Sequence, residues 1–233
     1  MILSTLLDLF FPKRCVACGK HGFYLCFSCL SQIKFVKDPV CPLCERPAIG
    51  GAAHPGCQKQ NSLDGLISVC FYQGPLREAI KRLKYKPWIT DLGQILGEIM
   101  IKNERLLRLI SDKGQWFLIP IPLHPSRERQ RGFNQSEILG RLLAEKLKID
   151  FSPALLVRQK RTLPQAELRG TERQQNIRGV FSLNPRINKK IDLRNRSILL
   201  IDDVWTTGAT LRAGGQILKK SGAKRVWGLT LAR

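Results

Sequence analysis

Acidic residues are the scarce class in this chain: 18 Asp and Glu stand against 39 Lys and Arg among 233 residues, a formal charge of +21. That imbalance points to a polyanionic partner, a phosphate-bearing substrate or nucleic acid, without separating the two. Long apolar runs are missing as well. The richest stretch, with Ile2, Leu3, Leu6, Leu7, Leu9, Phe10 and Phe11, is too short to span a bilayer and has neither a basic flank nor a small-residue cleavage site. It reads as a short apolar helix over residues 1–12, ended by Pro12 and packed on the body; contact with a membrane surface or a partner is the other reading. No membrane span is expected, and the lack of a targeting signal makes a cytoplasmic location the expectation. Aromatic residues are only 7% of the chain, which leaves few platforms for base stacking beyond Tyr24, Phe27 and Trp88.

What is there begins with cysteine. Cys15 and Cys18, Cys26 and Cys29, and Cys41 and Cys44 form three C-x-x-C knuckles, and His54 with Cys57 makes a fourth pair at the same spacing. One tight turn can aim two such ligands at one ion, so four pairs complete two closed tetrahedral zinc sites. Cys15, Cys18, Cys26 and Cys29 would hold one zinc, and Cys41, Cys44, His54 and Cys57 the other; an interleaved pairing of knuckles is the alternative. Disulfides are disfavoured where no secretory signal is found, because cytosolic thiols stay reduced. Sites closed by four ligands have no open position, so these zinc ions would be structural, folding a segment too short for its own core. Cys70 stands outside the pattern, in the apparent strand 66–72, and reads as a core residue.

After Cys57 the composition turns to alternating strands and helices, which predicts an α/β fold with a parallel sheet flanked by helices over residues 61–233, behind the cysteine-rich segment 13–60. Ile198–Leu199–Leu200–Ile201 is a continuous apolar run, as expected of a strand buried on both faces. Asp202 and Asp203 then fall at its carboxyl end, where open α/β sheets bind ligands. Ionised carboxylates accept hydrogen bonds from neighbouring sugar hydroxyls. Thr206, Thr207 and Thr210 add hydroxyl donors, and Gly208 and Ala209 let the backbone approach an anion at the start of a helix running to about Lys220. The combination describes a sugar phosphate site; acids that merely cap the next helix are the plainer reading.

A second constellation follows the apolar run 117–121. Prolines turn the chain, and a loop carries Arg127, Arg129 and Arg131 ahead of Gly132 and a helix from Asn134 to Leu147, capped by Asn134 or Ser136. Guanidinium groups bind phosphate oxygens in bidentate fashion, so such a loop can grip pyrophosphate. A further helix over 76–85 has a basic face that is either solvated or turned to a ligand. Residues 157–181 show little apolar periodicity and read as a long basic excursion, a lid or a plain loop.

The Asp202–Thr210 stretch resembles the phosphoribosyl pyrophosphate (PRPP) loop of type I phosphoribosyltransferases. On that resemblance Asp202 and Asp203 hold the ribose 2′ and 3′ hydroxyls, and Thr206, Thr207, Gly208, Ala209 and Thr210 hold the 5′-phosphate. With the cysteine knuckles, Leu83-Lys84-Tyr85, Ile119-Pro120-Ile121-Pro122-Leu123 and Arg129 with Arg131-Gly132-Phe133-Asn134-Gln135, the likeness narrows to the competence protein F family, which joins a double zinc ribbon to a phosphoribosyltransferase-like domain. It implies that Leu123 and His124 border the ligand and that PRPP comes with Mg²⁺. Arg127, Arg129 and Arg131, with Gln165, Arg173 and Asn176 of the family's mobile loop, become candidates for catalysis. It also implies an alternative: uptake of single-stranded DNA during transformation, with a competence helicase as partner. Two departures are His54, where many relatives use Cys, and Trp205, where an aliphatic residue is usual. Purine-salvage relatives place an Asp where Thr206 stands, and threonine cannot do that acid–base chemistry near neutral pH. Metal analysis of the purified chain should return two zinc ions; one or none would refute the ligand assignment.

Overall fold

The computed structural model describes residues 12–111, 115–159 and 179–233. Residues 1–11 of the expected apolar helix lie outside them, as do Gln165, Arg173 and Asn176. In the cysteine-rich segment one helical turn, α1 (Phe27–Leu30), precedes the first strand, β1 (Gly65–Cys70). The chain then runs through α2 (Gly74–Lys84), α3 (Leu92–Ile101) and α4 (Glu104–Ser111) to β2 (Trp116–Pro120). Next come α5 (Pro125–Arg131), α6 (Gln135–Leu147), the short β3 (Asp150–Phe151), β4 (Leu156–Arg158), β5 (Phe181–Leu183) and α7 (Pro185–Asn188). β6 (Ser197–Val204), α8 (Ala209–Lys220) and β7 (Arg225–Ala232) complete it.

Five strands form one parallel sheet in the order β1-β7-β6-β2-β3. Its strands are apolar without alternation because both faces are covered. Leu199 and Ile201 pack with Leu139 and Leu143 of α6 and Leu83 of α2, while Ile198 and Leu200 pack with Leu211 and Leu218 of α8. The connection leaving β2 therefore covers one face and the connection leaving β6 the other. Between these two neighbouring strands lies the switch point at which such sheets open a crevice at their carboxyl ends.

Two expectations are corrected. The arginine segment is a helix, not a loop. His124 accepts a hydrogen bond from the Ser126 amide as N-cap, Pro125 fills the first turn, and Gly132 ends the helix at φ 82° with its N–H on the Glu128 carbonyl. Proline and glycine here are the start and stop signals of α5 rather than turn residues. The excursion over 157–181 is not irregular at its two ends: Leu156–Arg158 and Phe181–Leu183 pair as an antiparallel ribbon. Three-residue strands are too short to show a period in the sequence.

The cysteine-rich segment is built into the body. Val36 donates its N–H to Val69 and Phe71 its N–H to Lys34, and Ala52 and Gly65 form an antiparallel bridge, so the segment covers the outer edge of β1. Cys15, Cys26 and Cys29 belong to the same apolar cluster as α2 and α3, and Cys70, fully buried there, is the core residue expected. Gly51 marks the tightest approach: at φ +85° a Cβ would lie 2.1 Å from the Leu66 carbonyl oxygen. Gly51→Ala should cost about 2–4 kcal/mol in denaturant unfolding. Gly50→Ala, at φ +60° in open space, should cost only about 1 kcal/mol; equal small losses would contradict this packing.

Candidate functional site

β6 carries the acids past the edge of the apolar core, and alternation along the strand sends the two side chains to different neighbours. Asp203, 3% exposed, is ion-paired with Lys84 at the end of α2, Oδ2 to Nζ 2.7 Å. Burial, the largest single effect, would lower the Lys84 pKa, but the charge and hydrogen bond of Asp203 together with the charges of Asp202 and Tyr72 hold the ammonium above its ordinary value. Asp202 accepts from the Ser136 hydroxyl at 3.1 Å and from the Asp203 amide at 2.9 Å. These are not enough to offset burial and the neighbouring Asp203, and its pKa is pushed up to about 7.

Both acids open on a cleft of about 330 Å³ at the carboxyl end of the sheet, also lined by Tyr72, Lys84, Leu123, Arg127, Arg131, Gln135, Ser136, Arg158, Thr206 and Thr210. Four cations against two carboxylates make it anion-seeking. Helical spacing decides which arginines enter: Arg127 and Arg131, four residues apart, share a face and line the cleft, whereas Arg129 is exposed and outside the lining. Arg131 donates to Gln135, which begins α6. Asn134 pins that corner, accepting from the Ser136 amide and donating to the Ile121 carbonyl at 3.0 Å.

The Thr206–Thr210 turn closes the other end. Gly208 adopts φ +68°, and a Cβ there would lie 2.1 Å from the Trp205 ring, so only glycine fits. Thr207 Oγ1 is buried without a hydrogen-bond partner among the described residues; of this turn Thr206 and Thr210 line the cleft, and Thr207, Gly208 and Ala209 do not. Leu123 lines the cleft; His124, the N-cap of α5, does not. Thr206 is exposed in the cleft, and the turn offers no carboxylate between Thr206 and Thr210.

Sequence reasoning missed Ser136, Arg158 and Tyr72 as lining residues and Lys84 as the partner of Asp203. Ser136 looked like a cap, and Lys84 could be distinguished from its basic neighbours only as the last residue of its helix. Beside the cleft lies a recess of about 280 Å³ that shares Lys84, Tyr85, Arg127 and Arg131 with it and adds Lys86, Trp88 and Gln130.

The metal ligands assemble as the simpler pairing has it. Cys15, Cys18, Cys26 and Cys29 form one group and Cys41, Cys44, His54 and Cys57 another, all ligand atoms of each within 4.8 Å of one another. Cys18 Sγ and Cys26 Sγ are 3.6 Å apart, near the roughly 3.8 Å edge of a tetrahedron with zinc–sulfur bonds of about 2.3 Å. His54 Nε2 is 2.9 Å from the Pro47 carbonyl, which leaves Nδ1, 3.3 Å from Cys44 Sγ, to face the ion. Soft sulfur and imidazole in closed tetrahedra suit structural zinc.

Comparison with known proteins agrees with this construction. Residues 6–59 match the family described as a double zinc ribbon domain, and residues 135–233 match the phosphoribosyl transferase domain. The site therefore belongs to a phosphoribosyltransferase-type α/β domain behind a double zinc ribbon. Competence protein F of Haemophilus influenzae is 34% identical over 96% of this chain and 99% of its own length. Competence protein ComFC of Bacillus subtilis is 29% identical over 90% and 84%, and DNA utilization protein YhgH of Salmonella typhimurium 27% over 87% and 87%. The chain belongs to the competence protein F family. No helix among the described residues is long and apolar enough to cross a membrane.

The raised pKa of Asp202 carries a stability consequence. An unfolded aspartate titrates near 4, so between about pH 4 and 7 the folded chain holds a proton that the unfolded chain has released. Stability from this group thus falls as pH rises through that window. Asp202→Asn should raise the melting temperature at pH 8, on the order of 5 °C, with the gain shrinking towards pH 4; a gain independent of pH would refute it.

Proposed function

We propose that the cleft binds PRPP together with Mg²⁺ and supports transfer of its phosphoribosyl group to an acceptor. One observation carries this reading: adjacent carboxylates, an arginine pair and the hydroxyl-bearing Thr206 and Thr210 face a single cleft at the sheet's switch point. Asp202 and Asp203 accept from the ribose 2′ and 3′ hydroxyls, the Thr206–Thr210 turn with the α8 N-terminus takes the 5′-phosphate, and Arg127 and Arg131 take the pyrophosphate. In transfer, the acceptor's lone pair forms a bond to ribose C1 while the C1–O bond breaks and its electron pair leaves with pyrophosphate. Arginines already in place stabilise that departing charge. When bound, Mg²⁺ would add charge neutralisation on the pyrophosphate oxygens, and Asp202 and Asp203 are the carboxylates of the cleft that would hold it or its waters. Thr206 cannot act as a base, so the acceptor must bring a nucleophile that needs none from this position.

A second reading, handling of single-stranded DNA, is supported by the neighbouring recess. Tyr85, 60% exposed, stands there with Trp88 among Lys84, Lys86, Arg127 and Arg131, a mixture of rings and cations that suits unpaired bases. The name of the Salmonella relative points the same way.

Calorimetry with PRPP and Mg²⁺ tests the first reading. Asp202→Ala should weaken binding about 10-fold or more, and Arg127→Ala and Arg131→Ala should weaken it more than Arg129→Ala. Wild-type protein that binds no PRPP would sink it. Strand binding that falls steeply with salt and is reduced by Trp88→Ala, a residue of the recess that does not line the cleft, with PRPP affinity unchanged, would support the second.

A further inference from the structure

Arg212, in the first turn of α8, joins the two halves of the molecule. Its Nη1 donates to the Thr207 carbonyl at 2.6 Å, inside the phosphate turn. Nε donates to the Pro42 carbonyl at 2.6 Å, and Nη2 meets Glu45 Oε1 at 3.0 Å. Pro42 lies between the zinc ligands Cys41 and Cys44, and Glu45 directly follows Cys44 in a left-handed conformation, φ 61°. The guanidinium also lies 5.1 Å from the centre of the Trp205 ring, and that ring is what packs against Gly208. One planar group thus touches a zinc knuckle on one side and two parts of the phosphate turn on the other.

The knuckle end is shaped by its own metal ligand. Leu43 donates its N–H to Cys41 Sγ at 3.5 Å, and the Glu45 N–H bonds the Cys41 carbonyl at 3.0 Å. The direction of the Pro42 carbonyl and the placement of Glu45 are therefore set by a turn that exists to bring Cys41 and Cys44 to one ion. Within the turn, Thr206 is exposed and Thr207 Oγ1 has no partner among the described residues, while the Gly208 carbonyl accepts from the Arg212 amide at 2.9 Å, a further tie of the turn to this residue.

We propose that Arg212 is a positioning residue through which the second zinc site, Cys41, Cys44, His54 and Cys57, sets the conformation of the 206–210 turn, so that metal there governs affinity for the phosphate end of the ligand. The ligand part rests on the PRPP reading; the mechanical part does not. Arginine is required because three donors in one plane must reach three acceptors in fixed directions, which an ammonium cannot do. The zinc ribbon would then be part of the ligand site, although none of its zinc ligands lines the cleft.

The test uses the full chain with its zinc content measured. Hydrogen exchange of the 206–210 amides and calorimetric affinity for PRPP are read in wild type, Arg212→Gln, Arg212→Lys, His54→Ala and the double variant Arg212→Gln/His54→Ala. Two zinc ions and unchanged protection of the β6 amides in Arg212→Gln would show that the fold is intact. Expected are faster exchange at 206–210 and about 10-fold weaker PRPP binding in Arg212→Gln, only partial recovery in Arg212→Lys, similar changes in His54→Ala, and no further change in the double variant. Turn exchange in Arg212→Gln equal to wild type, or additive losses in the double variant, would overturn the proposal. If wild type binds no PRPP yet the exchange pattern holds, the PRPP reading fails and the mechanical link stands.

Discussion

Two consecutive carboxylates at the end of a strand buried on both faces are the constraint on which the rest depends. Low dielectric surroundings penalise each charge, and each penalises the other. The chain meets this in two ways. Asp203 is paired with Lys84, which requires α2 to end where its last residue reaches the strand. Asp202 is left near neutrality, held by the Ser136 hydroxyl and by its neighbour's amide, which requires α6 to begin beside β6. The Asn134 cap, the αL glycine that ends α5 and the crossing of connections at the β2–β6 switch point all serve that placement. Arg127 and Arg131 then face the acids across a cleft narrow enough for one ligand to meet both.

The zinc ribbon is not a detachable module. Cysteines of its first cluster lie in the same apolar cluster as α2 and α3, its backbone covers an otherwise open sheet edge, and its second cluster reaches the 206–210 turn through Arg212. A cysteine-rich segment of this length buries too little apolar surface to fold by hydrophobic contact alone. Metal supplies its rigidity, and a rigid support beside a glycine turn favours any ligand bound there, because a turn that must order itself on binding loses affinity in doing so.

Much of this was readable in residue order. The apolar runs at 198–201 and 117–121, the helical spacing of Leu76, Ile80 and Leu83, and the knuckle spacing each follow from a short-range rule. Misreadings arose where one residue type carries two signals. Pro125 and Gly132 serve turns and helix ends alike, so a loop was expected where α5 forms. Ser136 was offered as a cap, a role Asn134 takes, and this frees its hydroxyl for Asp202. Arg158 and Phe181 sit on strands of three residues, too short for any period to show.

The sequence by itself determined which groups this protein owns: two acids after a buried strand, a threonine–glycine turn, eight zinc ligands in four pairs and a large excess of cations. These follow from chemistry local to a few residues. Tertiary structure alone decided which of them meet. No short-range rule says that Lys84 rather than Lys81 meets Asp203, that Arg131 and not Arg129 enters the cleft, or that Arg212 spans to the zinc ribbon, since partner choice depends on helix phase, strand order and the approach of segments 170 residues apart. Long-range geometry selects from many equivalent cations the few that face the acids and the 206–210 turn.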